Sequence, residues 1–72
     1  MTPTLIRQPA VQVITELDER CDSCGAAAKL QVGFGSAGEL AFCGHHANRY
    51  TDRILATAER VSVESGFPWR GV

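Results

Sequence analysis

The chain has no fourth cysteine, no long apolar run and no marked excess of either charge. Its three cysteines, Cys21, Cys24 and Cys43, cannot all pair with one another. No charged-then-apolar leader opens the sequence, so a disulfide framework is not expected and the setting reads as cytoplasmic. Apolar runs of a few residues fall far short of the ~20 needed to cross a bilayer, which removes a membrane partner. Seven Lys and Arg against eight Asp and Glu leave a formal net charge of -1, without the basic field that draws proteins to nucleic acid. Large apolar side chains are scarce too, and the 44% hydrophobic content leans on alanine. A single domain of 72 residues with so little core material needs an additional staple.

Two short stretches supply one. CDSCG places Cys21 and Cys24 two residues apart, the spacing at which a tight turn points two sulfurs at one ion, and Gly25 can take the positive φ such a knuckle uses. FCGHHANRY then brings Cys43, His45 and His46 at the entry to a helical pattern. Cys43 and His46 are three apart and share a face if the helix begins between them, whereas His45 is turned by about 100°. His46 is therefore the expected fourth ligand. His45 is the alternative, because a Cys-x-His pair also works where the chain is not yet helical. The pattern C-x2-C-x18-C-x2-H predicts one structural, four-coordinate Zn2+ held by Cys21, Cys24, Cys43 and His46.

The rest of the chain is organised around these half-sites. Residues 1–15, with Pro3 and Pro9, read as an extended N-terminal arm in which VQVI, residues 11 to 14, can add a short strand. Residues 16–62 read as the zinc-binding domain and residues 63–72 as a C-terminal tail. Between the half-sites, Ala26, Ala28, Leu30, Val32 and Phe34 alternate with less apolar neighbours, GSAG turns the chain, and Leu40 and Phe42 continue the alternation, which predicts a β-hairpin. From residue 44 to about 61, Ala47, Tyr50, Ile54, Ala58 and Val61 recur at helical spacing as a buried stripe, with Tyr50 packed over the metal. Arg49, Arg53 and Arg60 gather on another side of that helix, and Leu55 lies off the stripe, placed to join an exposed apolar patch.

The order knuckle, hairpin, then a helix whose first turn gives the last two ligands resembles the treble-clef zinc finger across residues 20 to 61. The fold class expected is thus a small zinc-stapled α+β domain. The segments Cys21-Asp22-Ser23-Cys24-Gly25-Ala26-Ala27-Ala28 and Leu40-Ala41-Phe42-Cys43-Gly44-His45-His46, with Tyr50, also resemble a small uncharacterised family of actinobacteria and their phages. That family has a core of the form CDxCGAxA and LxFCGHH. The resemblance covers the metal core only. It implies zinc, an intracellular setting and phage or actinobacterial origin, and it brings no activity with it.

A filled coordination sphere argues against an enzyme. A catalytic zinc keeps one position open, and the His-x-Glu and Pro-Cys-x-x-Cys of zinc deaminases are absent. The expected function is a protein–protein interaction adaptor docking through Phe67 and Trp69 of the tail together with Leu55 and the helix. A phage-borne adaptor of this kind would be aimed at host machinery such as transcription. The alternative is a nucleic-acid-binding zinc finger using the Arg49, Arg53 and Arg60 face. Nothing in the hairpin's outer edge forbids pairing with a second copy, which admits a homodimer.

Overall fold

A computed structural model describes residues 9–71. Residues 1–8 of the expected arm lie outside the described residues. The elements run β1 (Ala10–Ile14), β2 (Leu30–Gly33), β3 (Glu39–Phe42), α1 (Gly44–Arg49), α2 (Thr51–Thr57) and β4 (Arg60–Glu64), with a 3-10 turn at Gly35–Ala37 inside the hairpin. The four strands form one sheet in the order β1-β4-β2-β3. The strand admitted at residues 11 to 14 is β1, an edge strand parallel to β4. The hairpin forms as β2 and β3, antiparallel with Leu30 opposite Phe42. Its first strand is shorter than the alternation suggested, because Ala27 is taken into a bridge with Arg20 that closes the knuckle.

The long helix is the main correction. Helical bonding continues from Tyr50 N–H to the His46 carbonyl and from Ile54 N–H to the Tyr50 carbonyl. Tyr50 itself, at φ -100° and ψ 18°, marks the break between α1 and α2. There the Thr51 hydroxyl lies 3.0 Å from the Ala47 carbonyl and 2.9 Å from that of Asn48, competing for oxygens the backbone ladder would otherwise use. Past Thr57, Ala58 is extended and the chain enters β4. RVSVE alternates apolar and polar residues, and in the centre of the sheet it has β1 on one side and β2 on the other. Ala47, Ile54, Ala58 and Val61 are buried as the stripe required, but Val61 reaches the core from a strand. Arg60 is therefore not on the helix with Arg49 and Arg53.

The register places Leu30, Val32, Val61, Val63 and Phe42 on one sheet face, where they pack with Ala47, Ile54 and Trp69. Val11 and Val13 share that face opposite Val61 and Val63, yet they stand beyond the helices and are 39% and 69% exposed. The other face carries polar pairs: Gln12 with Ser62, Gln31 with Glu39, and Lys29 with Glu64. Beside it Leu17, Ala28 and Ala41, with Ile14 packed against them, make a second, smaller core.

Trp69 belongs to the main core. It is 2% exposed, and its indole N–H donates to the Ala47 carbonyl at 2.9 Å. Phe67 is half-buried against the same core, close enough to Gly44 that a Cβ there would lie 3.2 Å from its ring. The tail thus folds back over the mouth of α1. Leu55 is half-buried and likewise packs against the core. In a domain this short, aromatic area is worth more inside than held out for a partner.

Candidate metal centre

The first half-site is a closed loop. Cys21 N–H donates to the Ala26 carbonyl at 2.7 Å and Gly25 N–H to the Cys21 carbonyl at 2.8 Å, with Gly25 at φ +83°. That left-handed turn is cheap only for glycine, and it points both sulfurs the same way. The second half-site uses the end of β3 and the start of α1. Cys43 is the extended residue before the helix, and its carbonyl accepts from Ala47 N–H, so His46 stands one turn above it.

These pieces meet. The donor atoms of Cys21, Cys24, Cys43 and His46 all lie within 4.8 Å of one another, and among the described residues this is the cluster able to hold a metal ion. Cys24 Sγ is 3.8 Å from Cys43 Sγ. His46 Nδ1 is 3.3 Å from Cys43 Sγ and 3.6 Å from Cys21 Sγ. Sulfur about 2.3 Å and nitrogen about 2.0–2.1 Å from a tetrahedral zinc are separated by about 3.8 Å between sulfurs and about 3.6 Å from sulfur to nitrogen. The donor types and these three separations are compatible with one four-coordinate ion, and every donor pair lies within 4.8 Å. His45, the alternative fourth ligand, is exposed and outside the cluster, its ring centroid 5.0 Å from that of His46.

The surroundings tune the donors. Burial pushes the Cys21 thiol up, but the backbone N–H groups of Cys43, Ser23 and Cys24, with the Cys24 side chain, outweigh it and bring the pKa down to about 6. At Cys24 the Ala26 backbone N–H pulls the thiol down, while desolvation and the neighbouring sulfurs of Cys21 and Cys43 win and raise it. The charge of one thiolate thus opposes the next, and a cation at the centre removes that conflict. An ion ligated by His46 Nδ1 would leave the ring's proton on Nε2. Tyr50 stacks on the His46 ring at 5.7 Å between centroids and 23° between planes, which holds the imidazole's orientation.

Asp22 was not singled out by the spacing. Its N–H donates to the Ala41 carbonyl at 2.8 Å, and its Oδ2 accepts from Ala41 N–H at 2.7 Å. These bonds clamp the knuckle to β3 two residues before Cys43 and occupy the outward backbone groups of that edge. The available signal was a short acidic residue inside a turn, where carboxylates bond nearby N–H groups.

The expected partner-binding residues do not form one exposed surface. Trp69 is core, and Phe67 and Leu55 pack on it. Arg49 and Arg53 are exposed on the helices, whereas Arg60 lies on β4 with Nη2 3.9 Å from Glu39. An apolar groove of about 230 Å³ lies instead between β3 and α2, lined by Phe34, Leu40, Phe42, Tyr50, Ile54 and Thr57 with Arg53.

A family model described as a domain of unknown function, DUF7455, matches residues 15–68. No curated protein and no solved structure matches the chain.

Proposed function

The chain belongs to the DUF7455 family, and because membership assigns no activity, we propose from its residues that it is a non-enzymatic adaptor: a treble-clef-like domain stapled by one structural Zn2+ that binds a protein segment. The single observation that supports the structural role is the convergence of three thiols and one imidazole, all four donor atoms within 4.8 Å of one another. Four protein ligands fill a zinc ion and leave no position for water or substrate, so the metal's contribution is to folding. Function then lies on the surface.

The groove between β3 and α2 is the surface we assign to the partner. Leu40, 41% exposed, stands at its lip, and the exposed Arg53 flanks an otherwise apolar lining. That chemistry suits a segment offering one apolar side chain beside a carboxylate. Of the three arginines of the nucleic-acid reading, Arg60 lies on β4 and only Arg49 and Arg53 share the helical segment.

The test is capture of the tagged protein's partners from a host lysate, with and without nuclease, comparing wild type with Arg53→Glu and measuring zinc in both. Capture of one protein that survives nuclease and is lost in the variant supports the adaptor. Capture that disappears with nuclease moves the function to nucleic acid.

A further inference from the structure

The two edges of the sheet are finished differently. The outer edge of β3 is occupied at Ala41 by Asp22, and that strand also carries Glu39. The outer edge of β1 carries no charge: its sequence is AVQVI, and no described residue pairs with it. In the parallel pairing with β4, Ala10 N–H donates to the Glu59 carbonyl and the Ile14 carbonyl accepts from Ser65 N–H. Ala10, Gln12 and Ile14 therefore turn their backbone groups inward, and Val11 and Val13 turn theirs outward. An uncharged edge whose donors and acceptors meet no described residue, flanked by two exposed valines, is a template for another strand.

We propose that this strand is β1 of a second copy, paired antiparallel about a two-fold axis through Gln12. The register follows from the outward groups. Val11 N–H and C=O meet those of Val13 of the other copy, and the symmetric pair repeats this, making four hydrogen bonds. Gln12 lies opposite its own mate as the non-hydrogen-bonded pair, a neutral juxtaposition on the polar face, where each amide already donates to Ser62. All four valines fall on the face shared with Val61 and Val63, so the apolar layer of one copy continues into the next. The exposure of Val13 shows that the helices leave room above this strand. Pro9, next in the outward direction, has no N–H to donate and ends the ladder. The result is one continuous sheet of eight strands. A single strand pair buries less than standard interfaces, so the dimer is concentration-dependent, with a midpoint on the order of 100 µM.

Sedimentation or light scattering of the zinc-loaded full chain, from a few µM to about 1 mM, tests this. The expected result is a shift from one chain of 7.8 kDa to two. Val13→Lys should move the midpoint up at least about tenfold, since it puts a charge on the edge and removes a valine. Leu40→Lys, on the opposite edge strand, should leave it unchanged. Val13 is exposed, so the variant is expected to fold; retained zinc content and an unchanged core spectrum check that. A second readout is amide exchange at Val11 and Val13, which should slow as concentration rises. Monomer up to about 1 mM overturns the proposal, as does dimerisation indifferent to Val13→Lys. Val11 and Val13 amides protected equally at every concentration would also overturn it, because the chain's own residues would then cover the edge.

Discussion

Helix α1 is gripped from two sides by different chemistry. On one side His46 joins three sulfurs gathered from a turn and a strand end. On the other, Trp69 reaches back from the C-terminal end to donate to the Ala47 carbonyl, and the Arg70 backbone N–H and guanidinium bond Asn48. The metal end gathers polarisable and ionisable donors that could share one ion. The tryptophan end is an ordinary core, with area and hydrogen bonds supplied by the chain itself. A domain this small needs both, and they should fail by different amounts and under different conditions.

The largest effect is expected at the metal end. If zinc is the staple, chelation or Cys43→Ser removes folding energy on the order of 10 kcal/mol, more than a domain of this size holds. Circular dichroism and amide spectra should then report an unfolded chain. His45→Ala, one residue from the ligand, should keep one zinc per chain and the native spectrum. If His45→Ala lost the metal while His46→Ala kept it, the assignment of the fourth ligand would be reversed. Trp69→Ala comes next, costing about 3–5 kcal/mol in zinc-saturated denaturation through lost area. Trp69→Phe should cost less, because the ring remains and the Ala47 carbonyl keeps the Thr51 hydroxyl. If Trp69→Ala were neutral, the second grip would not exist.

The same contrast explains what the sequence made legible. The metal end is written in local spacing: Cys21 to Cys24, Cys43 to His46 and the alternation of the hairpin each report a short-range geometry. The tryptophan end is set by partners far along the chain. Ala58 and Val61 sit in phase with Ile54 for a helix, and Val61 and Val63 sit in phase for a strand, so periodicity alone cannot choose between them. The strand is flanked by β2, some 30 residues earlier, and by β1, some 50 residues earlier. Nothing near residue 60 reports that. Trp69 is a similar case, since an aromatic in a tail is equally suited to a partner or to the chain's own core until the empty space beside Ala47 is known.

Asp22 links the two descriptions, as an exposed side chain that fixes one half-site to the strand leading to the other. Asp22→Ala should weaken the domain by about 1 kcal/mol, the ordinary net value of a hydrogen bond, and Asp22→Asn by less. Both variants should still bind zinc, with the alanine variant releasing it sooner to a competing chelator. A loss as large as that of Cys43→Ser would mean that the carboxylate serves the ion directly.

Acid separates the two ends most finely. Metal binding needs thiolates and a neutral imidazole, so protons compete with zinc as pH falls, and stability from the metal end declines with them. The ion pair of Lys29 and Glu64 behaves otherwise. The Lys29 ammonium beside it, helped by the Leu17 backbone N–H, holds the Glu64 carboxyl below its usual range. A carboxyl depressed on folding contributes its full stabilisation above its unfolded value of about 4.3 and loses it only as pH drops through the lower folded value. The stability gap between wild type and Glu64→Gln should therefore be small and flat from about pH 7.5 to about pH 5.5, while the total stability of both proteins falls together. A gap that closed within that window would place acid sensitivity at the sheet. A flat gap beneath a falling total would clear this ion pair, and zinc release in step with the fall would place the sensitivity at the metal end.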